Sequence, residues 1–117
     1  MTPAAASDLL RPVRAAFGSL AALDVALRPH GTAQARFGYP LGDHALASAV
    51  EAVFHPLHMA WPDLERRDWI EVVGHDPDGA LWVGCAGHYL GTFAKDWLDI
   101  PATGQAAFMR FHEFYSI

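Results

Sequence analysis

The chain has 117 residues, 52% of them hydrophobic and 18% charged, with a net charge of −5. That balance supports one folded domain with one core and excludes a disordered chain. Its eight Lys and Arg residues form no stripe, and no apolar run approaches the roughly 20 residues of a membrane helix, so neither a nucleic acid nor a membrane is expected as a partner.

The opening "MTPAAASDLLRPV" lacks the basic segment and long apolar core of a signal peptide, and the single cysteine, Cys85, excludes an internal disulfide and fits a reducing compartment. A cytoplasmic protein is the expectation. In "RPVRAAFGSLAALDVAL", Val13, Phe17, Leu20, Leu23 and Leu27 recur every three or four residues, one apolar stripe on a helix. Pro12 suits its first turn, and Pro29 with Gly31 ends it. "ARFGYPLGD" reads as a loop. Asp43 then caps a second helix, "HALASAVEAVF", which Pro56 either kinks or restarts as "PLHMAW". "PDLERRD" is a turn.

From Trp69 the period becomes two. "WIEVVGH" and "ALWVGCAGHYL" are strands joined by the hairpin turn "DPDG", and "AAFMRFHEFYSI" is a third strand after the loop "GTFAKDWLDIPATGQ". Helices first and an antiparallel sheet after predict an α+β fold over residues 1–117. In the second strand Trp82, Gly84, Ala86, His88 and Leu90 share one face, where the glycine gap leaves room for a packed helix or a ligand. In the third, Phe108, Arg110, His112 and Phe114 oppose Met109, Phe111, Glu113 and Tyr115. Both faces are largely apolar, so both are expected to be at least half covered, and Arg110 or Glu113 then needs a charged partner or a wet cavity.

Seven histidines invite a metal hypothesis, and His55 and His58 share a helix face. Zinc needs three or four ligands, and the other histidines are scattered, so no metal is expected. Cys85 shows no electropositive setting and reads as a small core residue. No Gly-rich phosphate loop is present.

The segment "GTFAKDWLDIPATG", with "HPLHMAWPDLERRDWIEVVG" before it and "FMRFHEFYSI" after it, resembles the SnoaL-like polyketide cyclases of the nuclear-transport-factor-2-like group, over Asp43 to Ile117. Asp99 stands where that family usually has glycine. The resemblance implies a cone-shaped roll, with helices packed into a bent antiparallel sheet around an apolar pocket. It implies cofactor-independent acid–base chemistry, an intramolecular aldol closure or a related isomerisation of a small apolar or aromatic carbonyl compound. In the family a further turn and strand follow and bring the acid/base aspartate. This sequence reaches Ile117 before both, so the resemblance supplies no such aspartate here, and an unpaired last strand favours a homodimer.

His88, on the gapped face and with an imidazole that titrates near neutrality, is the expected catalytic residue. His58, Trp61, Asp63, Trp82, Arg110 and His112 are the expected substrate-binding groups. Trp61 and Trp82 suit stacking on a planar ligand, and Asp63 also suits a turn cap. The alternative is a non-catalytic small-ligand-binding or dimerisation domain of the same fold.

Overall fold

The computed structural model describes residues 1–117, an α+β fold of helices on one face of a three-stranded antiparallel sheet. Helix α1 spans Pro3–Ala15, with the Thr2 hydroxyl accepting from the Ala5 N–H at 3.1 Å. Ala6, Leu10 and Val13 form its buried stripe, i, i+4, i+7. One 3₁₀ turn, Ala16–Gly18, leads into α2, Leu20–Leu27. The single helix expected from Pro12 onward is therefore two helices, and the first begins nine residues earlier. The break is local chemistry: Ser19 is extended (φ −140°, ψ 123°), and its hydroxyl caps α2 by accepting from the Ala22 N–H.

The segment expected as a loop is a hairpin, β1 (Gln34–Phe37) paired with β2 (Gly42–Ala45). Asp43 is not a helix cap. It lies in β2 opposite Arg36, at 3.4 Å from the guanidinium. The next helix runs in three segments: α3 (Leu46–Ala49), a π-helical turn (Val50–Phe54) and α4 (His55–Ala60). Pro56 has no N–H to donate. The wide turn before it closes with the His55 N–H on the Val50 carbonyl, and Pro56 sits in the first turn of α4.

The sheet has the order β3 (Glu65–His75), β4 (Leu81–Thr92), β5 (Ala106–Ser116). β3 begins four residues before Trp69, so "ERRD" is strand rather than turn. Asp68 pairs with Gly87 and Ile70 with Ala86, which leaves Trp69 as the extra residue of a bulge. Gly87 is required there, since a Cβ on it would lie 1.9 Å from the Arg67 carbonyl oxygen. The β3–β4 turn is as expected, with Asp76 accepting from the Asp78 and Ala80 N–H groups and Gly79 at φ +87°.

The core lies between the helices and one sheet face. From the sheet it takes Leu81, Val83, Cys85, Tyr89 and Phe111, against Phe17, Leu23, Val53, Phe54 and Leu57. The opposite face is open, with Phe108 75% and Phe114 70% exposed. The expectation that both faces are half covered does not hold. The gap at Gly84 is filled from its own face, because Phe114 and Val72 lean across it, 3.0 and 3.1 Å from where a Cβ would stand. In the loop between β4 and β5, Trp97 packs edge-on to Trp61 while Leu98 and Ile100 stay exposed. Leu98 and Asp99 there have φ of 50° and 64°. No helix is long and apolar enough to cross a membrane.

Candidate functional site

On the helix-covered face, strand alternation points Arg66, Asp68, Tyr89, Glu113 and Tyr115 inward. Arg66 is the hub. Its side chain is 3% exposed, with the guanidinium between the rings of Phe17 (4.3 Å) and Phe111 (4.1 Å). It donates two parallel hydrogen bonds to Glu113, both 2.8 Å, and others to Asp68 at 3.0–3.3 Å. Glu113 also accepts from the hydroxyls of Tyr89 (3.1 Å) and Tyr115 (2.6 Å).

Burial alone would lower the Arg66 pKa. The hydrogen bonds and charge of Glu113 outweigh it and hold Arg66 above its ordinary value. Burial, reinforced by the Glu113 charge, pushes both tyrosines above the ordinary phenol range, so they stay neutral donors. With four donors on its two oxygens, Glu113 has no free lone pair aimed at a ligand. It fixes Arg66.

Asp68 is different. Its carboxylate is bound by Arg66 and lies 3.3 Å from Arg14, yet it is 27% exposed. It stands in the wall of an open groove of about 560 Å³ between the end of α1 and the start of β3, where Arg14, Gly18, Leu64, Glu65 and Arg66 also contribute. Arg14 is tied to Glu71 as well, and its Nε is buried without an acceptor. Most of the residues that line the groove are charged, with Ala15 and Leu64 the hydrophobic ones.

The expected site residues divide between the two sides. His88, Arg110 and His112 are brought together on the open face, around a shallow depression of about 210 Å³ with Trp69 and Ile70. His88 pairs across the sheet with Arg110, and its ring lies 4.6 Å from that of Trp69. Trp82 is on the same face but at the far end, donating from its indole to Asp76 at 2.9 Å. His58 and Trp61 belong to the helix side. Trp61 is buried and stacked on Phe93 at 4.5 Å, and so is core rather than a platform for a ligand. His58 is half-buried, with no partner for its Nε2. Burial chiefly lowers its pKa, with the Phe17 backbone opposing this only in part. Asp63 accepts from the Thr92 N–H (2.8 Å) and hydroxyl (2.9 Å), bonds that depress its pKa and tie the start of β3 to the end of β4. Cys85 is in the core, where burial raises its thiol pKa.

Arg14, Arg66 and Asp68 are not among the residues expected at a site. The period-two alternation of Arg66 and Asp68 inside "ERRD" was the available signal. Glu113 carried one too, as a charge on an apolar strand in need of a partner. No group of three or more His, Cys, Asp or Glu residues is arranged to hold a metal ion. Comparison with protein-family models, with curated proteins and with solved structures found no match to the chain.

Proposed function

We propose that the chain is a SnoaL-like domain of the nuclear-transport-factor-2-like fold that handles a small carbonyl compound by acid–base chemistry in the groove between α1 and β3. The observation that carries this reading is Asp68, a carboxylate left partly open to the groove while two guanidinium groups hold it in place. Asp68 takes a proton from the carbon between two carbonyl groups. The C–H electron pair passes into an enolate whose oxygen faces Arg14, the partly exposed guanidinium beside Asp68, while Arg66 holds Asp68 in place. The proton returns to carbon, or that carbon attacks a second carbonyl carbon in an aldol closure, the C=O π pair moving to its oxygen, which takes the proton back from Asp68. A 1,3-dicarbonyl compound delocalises its own charge, so this chemistry calls for no metal or organic cofactor. The charged side chains that line the groove favour a compact dicarbonyl over a large apolar ring system. Further support comes from the element order, helices then antiparallel sheet, and from the φ of +64° at Asp99, where the SnoaL-like family usually has glycine.

The test is deuterium exchange at the central carbon of 1,3-diketone probes, followed by NMR. Asp68→Asn is expected to slow the protein-dependent rate by about 100-fold or more, and His88→Ala to leave it within about twofold. The reverse pattern would move the chemistry to the open face. A wild-type protein that speeds exchange of no probe would remove the catalytic reading.

One observation favours binding without turnover. Every guanidinium around the groove already has a carboxylate partner: Arg11 with Asp8, Arg14 with Glu71 and Asp68, Arg66 with Glu113 and Asp68, Arg67 with Glu65. On that reading ligand-observed NMR detects the diketone in the groove while its central proton stays in place.

A further inference from the structure

Half of the chain's Lys and Arg residues gather at the groove between α1 and β3. Of the eight, Arg11, Arg14, Arg66 and Arg67 line it, against two of the thirteen acids, Glu65 and Asp68. The four guanidinium groups are of two kinds. Arg66 is 3% exposed and Arg14 16%, and each is tied to two carboxylates. Arg11 and Arg67 are 71% and 65% exposed, one on α1 and the other on β3. Each has a single carboxylate partner that is itself at least 59% exposed, Asp8 at 2.7 Å and Glu65 at 3.3 Å.

Burial decides which of them can take a ligand. Breaking a buried pair leaves a charge uncompensated, so Arg14 and Arg66 keep their partners. An exposed pair is hydrated and worth little, so Arg11 and Arg67 exchange one carboxylate for another at almost no cost. The ion pairs around the groove therefore leave it open to an anion at its mouth, though not at its floor.

We propose that the groove takes a dicarbonyl compound that ends in a carboxylate, with Arg11 and Arg67 closing on that carboxylate while the dicarbonyl end lies at Asp68. The inference rests on the groove being the ligand site, as proposed above, and names the class of ligand. A carboxylate matches a guanidinium in shape, through two parallel N–H···O bonds. At an open mouth it also keeps part of its water. One negative charge suits the place better than two. The groove meets α1 at its last turn, the negative end of the helix dipole, and Glu65 and Asp68 stand in the wall. A phosphate dianion meets more repulsion there than a carboxylate. Repulsion also sets where the carboxylate sits on the ligand. It must lie away from the carbon that faces Asp68, as a spacer of two methylene groups allows. A groove of about 560 Å³ has room for such a molecule.

The experiment titrates the chain with 4,6-dioxoheptanoate and with its methyl ester, probes alike in their dicarbonyl end and different in charge, and reads Kd by ligand-observed NMR at pH 7. The acid is expected to bind about tenfold tighter than the ester. Arg11→Gln and Arg67→Gln each narrow that preference about threefold, and the double variant brings the two probes to within about twofold of each other. Lys at either position retains part of the preference. Raising NaCl from about 0.05 to 0.5 M narrows it in the wild type, a response that a purely structural role would not give. Both side chains are exposed, so the variants fold, which far-UV circular dichroism checks. No binding of the acid, equal affinity for the ester, or a preference that survives the double variant each overturns the proposal. So does displacement of the acid by inorganic phosphate at the same concentration. Deuterium exchange at the central carbon, followed in the same samples, reports on the groove chemistry separately. An ester that exchanges and binds as well as the acid leaves the Asp68 reading standing and removes this one. An acid held by Arg11 and Arg67 without exchange does the reverse.

Discussion

The two faces of the β3–β4–β5 sheet are built from the same strands and are both rich in large apolar residues, yet one is core and the other is surface. Leu81, Val83, Cys85, Tyr89 and Phe111 are at most 7% exposed, while Phe108 and Phe114, neighbours of Phe111 on β5, are at least 70% exposed. Hydrophobicity does not separate them. The charges do. On the covered face each charged side chain is locked to a partner, Arg66 to Glu113 and Asp68, Arg14 to Glu71. On the open face Arg110 carries its charge without one. A desolvated charge must be compensated and a hydrated one need not be, so a charge without a partner, such as Arg110, marks the open side of a sheet whose apolar pattern is ambiguous.

The strongest way to break this distinction is to remove the compensation. Glu113→Gln leaves the Arg66 cation between Phe17 and Phe111 with only Asp68 to balance it. The expected loss is about 3 kcal/mol in urea denaturation, at the lower end for a broken buried pair because Asp68 remains. A loss under about 1 kcal/mol would mean that water reaches Arg66 and that the covered face is not closed there.

Two glycines on one strand sharpen the comparison at a smaller scale. In Gly87→Ala the new methyl meets backbone, 1.9 Å from the Arg67 carbonyl oxygen and 2.9 Å from the Phe111 ring, and β3 must move. In Gly84→Ala it meets the ends of Phe114 and Val72, at 3.0 and 3.1 Å, side chains free to swing into solvent. Gly87→Ala is expected to cost about 2–3 kcal/mol and Gly84→Ala under about 1 kcal/mol in thermal unfolding of dilute protein. Equal costs would show that Phe114 is held as firmly as the bulge.

Much of this fold was legible in the sequence, and the reasons are local. The period-two runs in β4 and β5 and the "DPDG" turn depend on alternation and turn chemistry alone, and the structure has them where they were read. The helix start was missed because Thr2 and Pro3 cap a segment of small residues whose apolar stripe is weak until Leu10. The hairpin from Gln34 to Ala45 was missed because Gly38, Pro40 and Gly42 mark a turn just as they mark a loop. The choice of sheet face was beyond the strand pattern. His88, Arg110 and His112 lie together because alternation and register place them so, but apart from His58, Trp61 and Asp63, which were expected in the same pocket. Whether helices would cover them depended on α1, whose contacts lie on the other side. Arg66 and Asp68 escaped notice because a run of charges ordinarily signals a turn, and nothing in "ERRD" itself shows that two of its members meet Glu113 and Arg14.

The smallest predicted effect comes from His58 on the covered side. Burial lowers its pKa in the folded chain from the ordinary histidine value of 6.5. Between the two values the unfolded chain binds a proton that the folded chain does not, so stability rises with pH across that window. The contribution is therefore whole above about pH 6.5 and is lost as pH falls through that value toward the folded one. Denaturant midpoints measured from pH 7.5 down to 5.5 should fall, and His58→Gln, which cannot take up a proton, should flatten that part of the curve even if it lowers the midpoint at every pH. The carboxylates Asp63 and Asp76, whose hydrogen bonds depress their pKa values, respond in the same direction but below the ordinary aspartate value of 3.8. An unchanged slope in His58→Gln would place the imidazole in water and move the boundary of the covered side inward from α4.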